Sequence, residues 1–241
     1  MSTRPEVVLV DVGGVFHLPR LELLTEALED IGEEFDADRL HRAHYTAISR
    51  FDAGPGVVDQ LMSLDAAPEI VYGTYDRVLA QALGVPEAKL EAATMSLARI
   101  FAQTGGWGTL VPGSLDGLRA LAATGVRLGV VSNSDGTVEQ RLRREGVAQV
   151  GDGLGVPVEV IVDSAAVGFS KPDPRIFQVA LEALGVPPER VVHVGDSVAM
   201  DVHGALNAGV RPLHLDPFDD CPGGPPHDHI RSLQELAQTL Q

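Results

Sequence analysis

Apolar positions recur along this chain in two registers. Residues 6–10 form a short β-branched run that ends at Asp11 and meets Gly13-Gly14. That is the pattern of a buried strand delivering a carboxylate to its C-terminal end. Leu21, Leu24, Leu28 and Ile31 follow at helical spacing, and Gly32 ends the helix. Residues 37–51, 57–64, 69–83 and 87–103 read as further helices, punctuated by Gly54-Pro55-Gly56, Pro68 and Gly84-Val85-Pro86. No strand is expected between residues 15 and 109, so the whole stretch reads as one helical block.

From Gly113 onward the pattern alternates. Strands are expected at 126–131, 158–162, 191–194 and 210–215, ending in Ser132-Asn133, Asp163-Ser164, Gly195-Asp196 and Asp216. Helices are expected at 115–123, 138–145, 174–184 and 199–208. Such alternation implies an α/β fold, a doubly wound Rossmann-like parallel sheet with helices on both faces. The helical block is then an insertion after the first strand. A polar Pro/Gly segment, 219–228, reads as a loose linker to a last amphipathic helix at 230–240.

Composition narrows the function classes. The 241 residues carry 18 Lys and Arg against 34 Asp and Glu, a formal net charge of −16. A phosphate backbone or anionic membrane would repel such a surface, so neither nucleic acid nor membrane is an expected partner. No secretory apolar segment and no run near the roughly 18 residues of a membrane span is present, which points to a cytoplasmic protein. Cys221 is the only cysteine, which excludes an intramolecular disulfide and a metal cluster built on cysteines. Lys89 and Lys171 are the only lysines in an otherwise arginine-based chain. A compact ammonium rather than a planar fork therefore matters at one of them.

In a doubly wound sheet, ligands sit outside the carboxyl ends of the strands. Those ends carry Asp11, Ser132, Asn133, Asp163, Asp196 and Asp216, with Lys171 and Asp201 close behind. Clustered carboxylates repel unless a cation joins them, and oxygen-only ligands point to Mg2+. A divalent ion and Lys171 together would balance Asp11, Asp196 and Asp201 and admit a phosphate dianion. Ser132 and the amides after it are placed to hold phosphoryl oxygens. A carboxylate on a rigid strand end is a plausible nucleophile.

Four segments carry a family resemblance: Val8-Leu9-Val10-Asp11-Val12-Gly13-Gly14-Val15, Val130-Val131-Ser132-Asn133, Ser170-Lys171-Pro172-Asp173-Pro174 and Val194-Gly195-Asp196-Ser197-Val198-Ala199-Met200-Asp201, the last continued by Gly204-Ala205-Leu206-Asn207-Ala208-Gly209. In this order the chain resembles a haloacid dehalogenase superfamily hydrolase with a helical cap inserted after the first motif. The resemblance implies a core domain of residues 1–16 and 110–241 and an all-helical cap domain of residues 17–109. It implies a Mg2+-dependent phosphatase acting on a small phosphorylated metabolite through an aspartyl-phosphate on Asp11. Ser132, Asn133 and Lys171 would bind the phosphoryl group, with Lys171 also steadying the nucleophile. Asp11, the Gly13 carbonyl and Asp196 would bind the metal, and Asp201 would act through water or by holding Lys171.

Gly13 departs from the family pattern, whose phosphatases carry a second Asp there as general acid and base. The metal-binding carbonyl survives the change, but the proton donor does not, which implies slow turnover or a substrate with a good leaving group. His17 lies near enough in sequence to be weighed as a substitute, although a solvated turn histidine is the simpler reading. A 2-haloacid dehalogenase and a non-catalytic phosphate- or partner-binding domain are the alternative functions.

Plainer roles suit other residues. Asp163 and Asp173 read as turn and N-cap residues, and Ser132-Asn133 has a helix-capping alternative. His227-Asp228-His229 reads as a solvated loop rather than a metal clip, and Cys221 as inert. His41, His44 and Tyr45, with Arg50, share one helix and read as a solvated face, with substrate contact as the alternative. Trp107, among Gly105, Gly106 and Gly108, reads as hinge packing.

Overall fold

The computed structural model describes residues 4–63, 68–101 and 105–241. The chain runs through β1 (Val7–Val10), β2 (His17–Pro19), α1 (Leu21–Glu29), α2 (Leu40–Asp52), α3 (Val57–Met62), α4 (Pro68–Leu83), α5 (Leu90–Phe101) and β3 (Trp107–Leu110). It continues with α6 (Ser114–Ala123), β4 (Arg127–Ser132), α7 (Val138–Arg144), β5 (Ala148–Val150), β6 (Val156–Val158), β7 (Val160–Asp163), α8 (Ser164–Val167) and α9 (Pro174–Leu184). The last elements are β8 (Val191–Gly195), a π-helical turn at Val198–Val202, α10 (His203–Asn207), β9 (Arg211–Leu215), β10 (Asp228–Ile230) and α11 (Leu233–Thr239). Leu64 and Gln103, the expected ends of two helices, lie outside the described residues.

Six strands form a parallel sheet in the order β10-β9-β8-β1-β4-β7. The chain leaves β1 toward β4 and β7, then crosses back to β8 on its other side. This reversal opens a crevice at the carboxyl ends of β1 and β8, where α/β sheets bind ligands. The period of two in β1 divides its valines and leucine between two cores. Val8 and Val10 pack with Leu118, Leu142 and Leu233 on one face. Val7 and Leu9 pack with Phe177 and Ala180 on the other. This is the expected Rossmann-like architecture.

Helices α1–α5 build a separate apolar cluster around Leu24, Leu28, Leu40, Phe51, Leu79 and Leu97. Two strands that the pattern did not predict frame this block: β2 pairs antiparallel with β3, setting His17 opposite Leu110 and Leu18 opposite Thr109. Both are too short to show alternation, and their partners are far apart in sequence, so only closure of the helical block creates them. The Thr109 hydroxyl accepts from the Leu21 N–H at 3.0 Å, supplying the cap that Arg20 lacks at the start of α1. Two further corrections concern the later part of the chain. The segment 219–228 is not a free linker, since it ends in β10, which pairs in parallel with β9. The short pair β5–β6 was also missed. Among the described residues, no helix is long and apolar enough to cross a membrane.

Candidate active site

Asp11 directly follows β1, and its N–H donates to the Val194 carbonyl at 2.9 Å, so the sheet ladder sets its position beside the end of β8. Lys171 reaches in from the loop before α9 and is 2 % exposed. Its Nζ lies 2.9 Å from Asp11 Oδ1 and 2.6 Å from Asp201 Oδ1. Asp201 Oδ1 also accepts from His193 Nε2 at 2.8 Å, and its Oδ2 from the Ser197 N–H at 3.1 Å. A Cβ on Gly195 would stand 2.0 Å from Asp201 Cγ, so this close approach requires glycine. Gly14, at φ +64°, does the same for Asp196, whose Oδ2 would lie 2.0 Å from a Cβ there.

Asn133 sits at the end of β4 but binds Lys171's backbone: its Oδ1 accepts from the Lys171 N–H at 2.7 Å, and its Nδ2 donates to the Lys171 carbonyl at 3.0 Å. Ser132 is buried beside it, in register with Asp163. Asp163 accepts from the Gly136, Val138 and Ala165 amides, and Asp173 from Arg175 N–H, so both shape turns and helix starts. The other lysine, Lys89, pairs with Glu33 and donates to the Ile31 and Gly32 carbonyls at the end of the first helix.

Burial dominates the electrostatics. It pushes Asp11 up to about 7, with Lys171 pulling against it and Asp201 and Asp196 adding to the rise. Burial alone would raise Asp201, but Lys171 and His193 hold it well below the usual carboxylate range. For Lys171, burial is outweighed by Asp11 and Asp201, and the ammonium stays charged. Asp11, Asp196 and Asp201 each offer an oxygen within 4.8 Å of the others. Asp11 Oδ1 is buried with the Lys171 ammonium as its neighbour. Three carboxylates against one ammonium suit a hard divalent cation.

The inserted helices reach this centre through α2, contrary to the solvated face expected for it. His44 and Tyr45 are buried. His44 Nε2 lies 2.7 Å from Asp196 Oδ2 and its Nδ1 2.9 Å from Tyr75 Oη, while Tyr45 Oη donates to the Gly14 carbonyl at 2.5 Å. His41 is half-buried against Tyr45 and Phe218, and Arg50 is exposed. Trp107 packs edge-on to His44 and stacks on Tyr75, and a Cβ on Gly13 would meet its Cζ3 at 3.8 Å. Trp107 therefore stands between Gly13 and His44. His17 is fully buried, with Nε2 2.7 Å from Glu145 Oε2, and burial, helped by Arg141, lowers it to about 4. It is not a solvated turn residue, because the β2–β3 pairing turns it inward toward α7. A cleft of about 550 Å³ is lined by Arg20, Trp107, Thr109, Arg141 and Arg144; Asp11, Lys171, Asp196 and Asp201 do not line it.

Two functional candidates escaped the sequence reading: His193 and Asp52. For His193 the available signal was a polar residue inside an apolar strand. Asp52, at the end of α2, accepts from Ser197 Oγ at 2.7 Å, Val198 N–H at 2.6 Å and Ala199 N–H at 3.1 Å, and so grips the loop after Asp196. Replacing Asp52 with Ala orphans these donors and is expected to cost about 1–3 kcal/mol in urea unfolding. Burial raises Asp52 to about 7 from the ordinary 3.8. Between those values the folded chain binds a proton that the unfolded chain does not, so stability falls as pH rises across the interval. The Ala variant loses that slope, and its deficit is expected to be larger at pH 5 than at pH 8.

The haloacid dehalogenase-like hydrolase family model matches residues 5–209. Haloacid dehalogenase-like hydrolase domain-containing protein 3 of Danio rerio is 39% identical over 127 residues, 52% of this chain and 50% of that protein. Phosphoserine phosphatase of Thermus thermophilus is 42% identical over 97 residues, 38% of each chain. The chain thus spans half or less of the length of these two relatives. Among solved structures, the magnesium-bound HAD hydrolase YfnB from Bacillus subtilis superposes with a TM-score of 0.61 at 22% identity, covering 99% of this chain and 100% of that one. At that identity the likeness shows the fold.

Proposed function

Because this chain belongs to the haloacid dehalogenase-like hydrolase family, we propose that it is a Mg2+-dependent phosphomonoesterase for a small phosphorylated metabolite, with Asp11 as nucleophile. The observation that carries this reading is the buried Asp11–Lys171–Asp201 chain beside Asp196, at the crevice between β1 and β8. A carboxylate held at the end of a buried strand can attack phosphorus, and Lys171 is at hand for the charge on the phosphoryl oxygens.

Asp11, the Gly13 carbonyl and Asp196 would hold the ion, which when bound neutralises the phosphoryl oxygens facing the carboxylates. A carboxylate oxygen of Asp11 bonds to phosphorus while the bond to the leaving oxygen breaks, giving an aspartyl-phosphate and a leaving group that takes its proton from water. Water then attacks this phosphorus, releases inorganic phosphate and restores the carboxylate. Lys171, oriented by Asp201 on one side and by Asn133's grip on its backbone, steadies the charge in both steps. Ser132 and the amides beyond β4 would complete the phosphoryl cradle. The helical block, residues 17–109, acts as a cap, with α2 bringing His44 and Asp52 onto the loop that carries Asp196.

Phosphate release from a panel of sugar phosphates, phosphoglycolate, nucleoside monophosphates and an aryl phosphate tests this reading. Activity is expected with Mg2+ and lost with chelator. Halide release from a haloacid, independent of Mg2+, would instead favour the dehalogenase alternative, and Mg2+-independent phosphate release would overturn the metal assignment.

A further inference from the structure

Four side chains that the phosphatase reading does not use converge near the carboxyl end of β9. His214 and His229 face each other across the parallel β9–β10 register. Cys221 and His227 come from the segment between these strands, and one ligand atom from each of the four lies within 4.8 Å of the others. The His214 and His227 ring centroids are 5.4 Å apart, those of His214 and His229 5.3 Å, and those of His227 and His229 4.7 Å. Cys221 Sγ stands 3.5 Å from His227 Nε2.

The hydrogen bonds on the outer side of each ring point to a ligand. His214 Nε2 lies 3.0 Å from the Asp196 carbonyl, and His227 Nδ1 lies 2.6 Å from the Pro225 carbonyl. A carbonyl only accepts, so those nitrogens carry the proton and leave His214 Nδ1 and His227 Nε2 with lone pairs. His229 Nδ1 faces Asp216 Oδ2 at 3.3 Å, which leaves its Nε2 open in the same way. His214 Nδ1 is buried and has no hydrogen-bond partner. Three imidazoles gathered around one thiol, each with one nitrogen engaged by a carbonyl or carboxylate and the other left for a ligand, match the way metal-binding histidines are held in place.

We propose that His214, Cys221, His227 and His229 form a tetrahedral Zn2+ site that clasps the segment between β9 and β10 onto the core. Imidazole and thiolate donors select a borderline-soft ion over Mg2+ or Ca2+. Tetrahedral zinc with bonds of about 2.0–2.3 Å sets its ligands roughly 3.3–3.8 Å apart, so side-chain shifts of about 1 Å close the site. Binding releases the Cys221 thiol proton to solvent. The clasp has a place to act: its His214 holds the Asp196 carbonyl, and the clasped segment meets α2 through the Arg42–Asp220 ion pair and the Ser49 hydroxyl, which donates to the Asp220 carbonyl at 2.6 Å.

The test uses the untagged full chain, stripped by chelator and reloaded with Zn2+ or Co2+. One equivalent of zinc is expected to survive gel filtration. Co2+ is expected to give the intense d–d absorption of a tetrahedral site and a thiolate charge-transfer band. Cys221→Ser should abolish that band, and Cys221→Ser and His229→Gln should each weaken zinc binding by about 100-fold or more, beyond the 10–100-fold that losing a group which only orients a ligand costs. His229 is exposed, so its variant keeps the fold even if the cysteine variant does not. Substoichiometric zinc, zinc content unmoved by either variant, or zinc lost in Asp196→Asn but not in these variants would overturn the proposal.

Discussion

Asp11→Asn is expected to lower kcat for phosphate release by about 10⁴-fold or more, as when the nucleophile is removed from other covalent hydrolases. Asparagine matches the carboxylate in volume, and its amide oxygen can still receive Lys171, which keeps Asp201 as a partner. The fold should therefore persist, and a urea midpoint close to that of the unmodified chain would show that chemistry alone was lost. A neutral amide is too weak a nucleophile toward phosphorus to form the covalent intermediate. Activity within about tenfold of the unmodified enzyme would sink the assignment of Asp11, since loss of a nucleophile is never that mild. The same variant separates the non-catalytic alternative, because a binding domain would retain phosphate affinity and show no turnover either before or after the change.

Gly13→Asp is expected to raise kcat by about 10²–10⁴-fold on esters whose leaving alkoxide needs a proton, and to change an aryl phosphate little. The argument is geometric as well as chemical. A Cβ at this position meets Trp107 Cζ3 at 3.8 Å, an ordinary contact, and the backbone is not in the left-handed region reserved for glycine. The position therefore accepts a side-chain Cβ beside Trp107 without a clash. The readout is the ratio between alkyl and aryl substrates, which a general change in stability or metal affinity would not move. Equal effects on both substrates, or none on either at any pH, would mean that this chain draws its proton from elsewhere.

Much of this protein was legible in its sequence. The β-branched run into Asp11, the strand–helix alternation after Gly113 and the four motif segments were enough to place a parallel sheet and to nominate Asp11, Lys171, Asp196 and Asp201. The structure brings those four together. Local pattern works here because a central parallel strand is buried on both faces and reads as a continuous apolar run. The rarity of lysine also pointed to Lys171, while its companion Lys89 proved to serve helix α1 instead.

Other features exist only because distant segments meet. The β2–β3 ribbon joins residues on either side of the helical block, and β10 forms only by docking on β9, so neither pairing has a local pattern to announce it. His44 and Tyr45 read as a solvated helix face until α2 packed over the Asp196 loop and buried them, and Asp52 lay just past the end expected for that helix. Cys221, His227 and His229 read as loop residues until β9–β10 register set His229 against His214. The sequence by itself determined the sheet, its order of motifs and the charged centre, because each rests on periodicity or on residue types at strand ends. Tertiary structure alone decided which polar side chains became buried partners of that centre, because burial and hydrogen bonding depend on which elements close over one another.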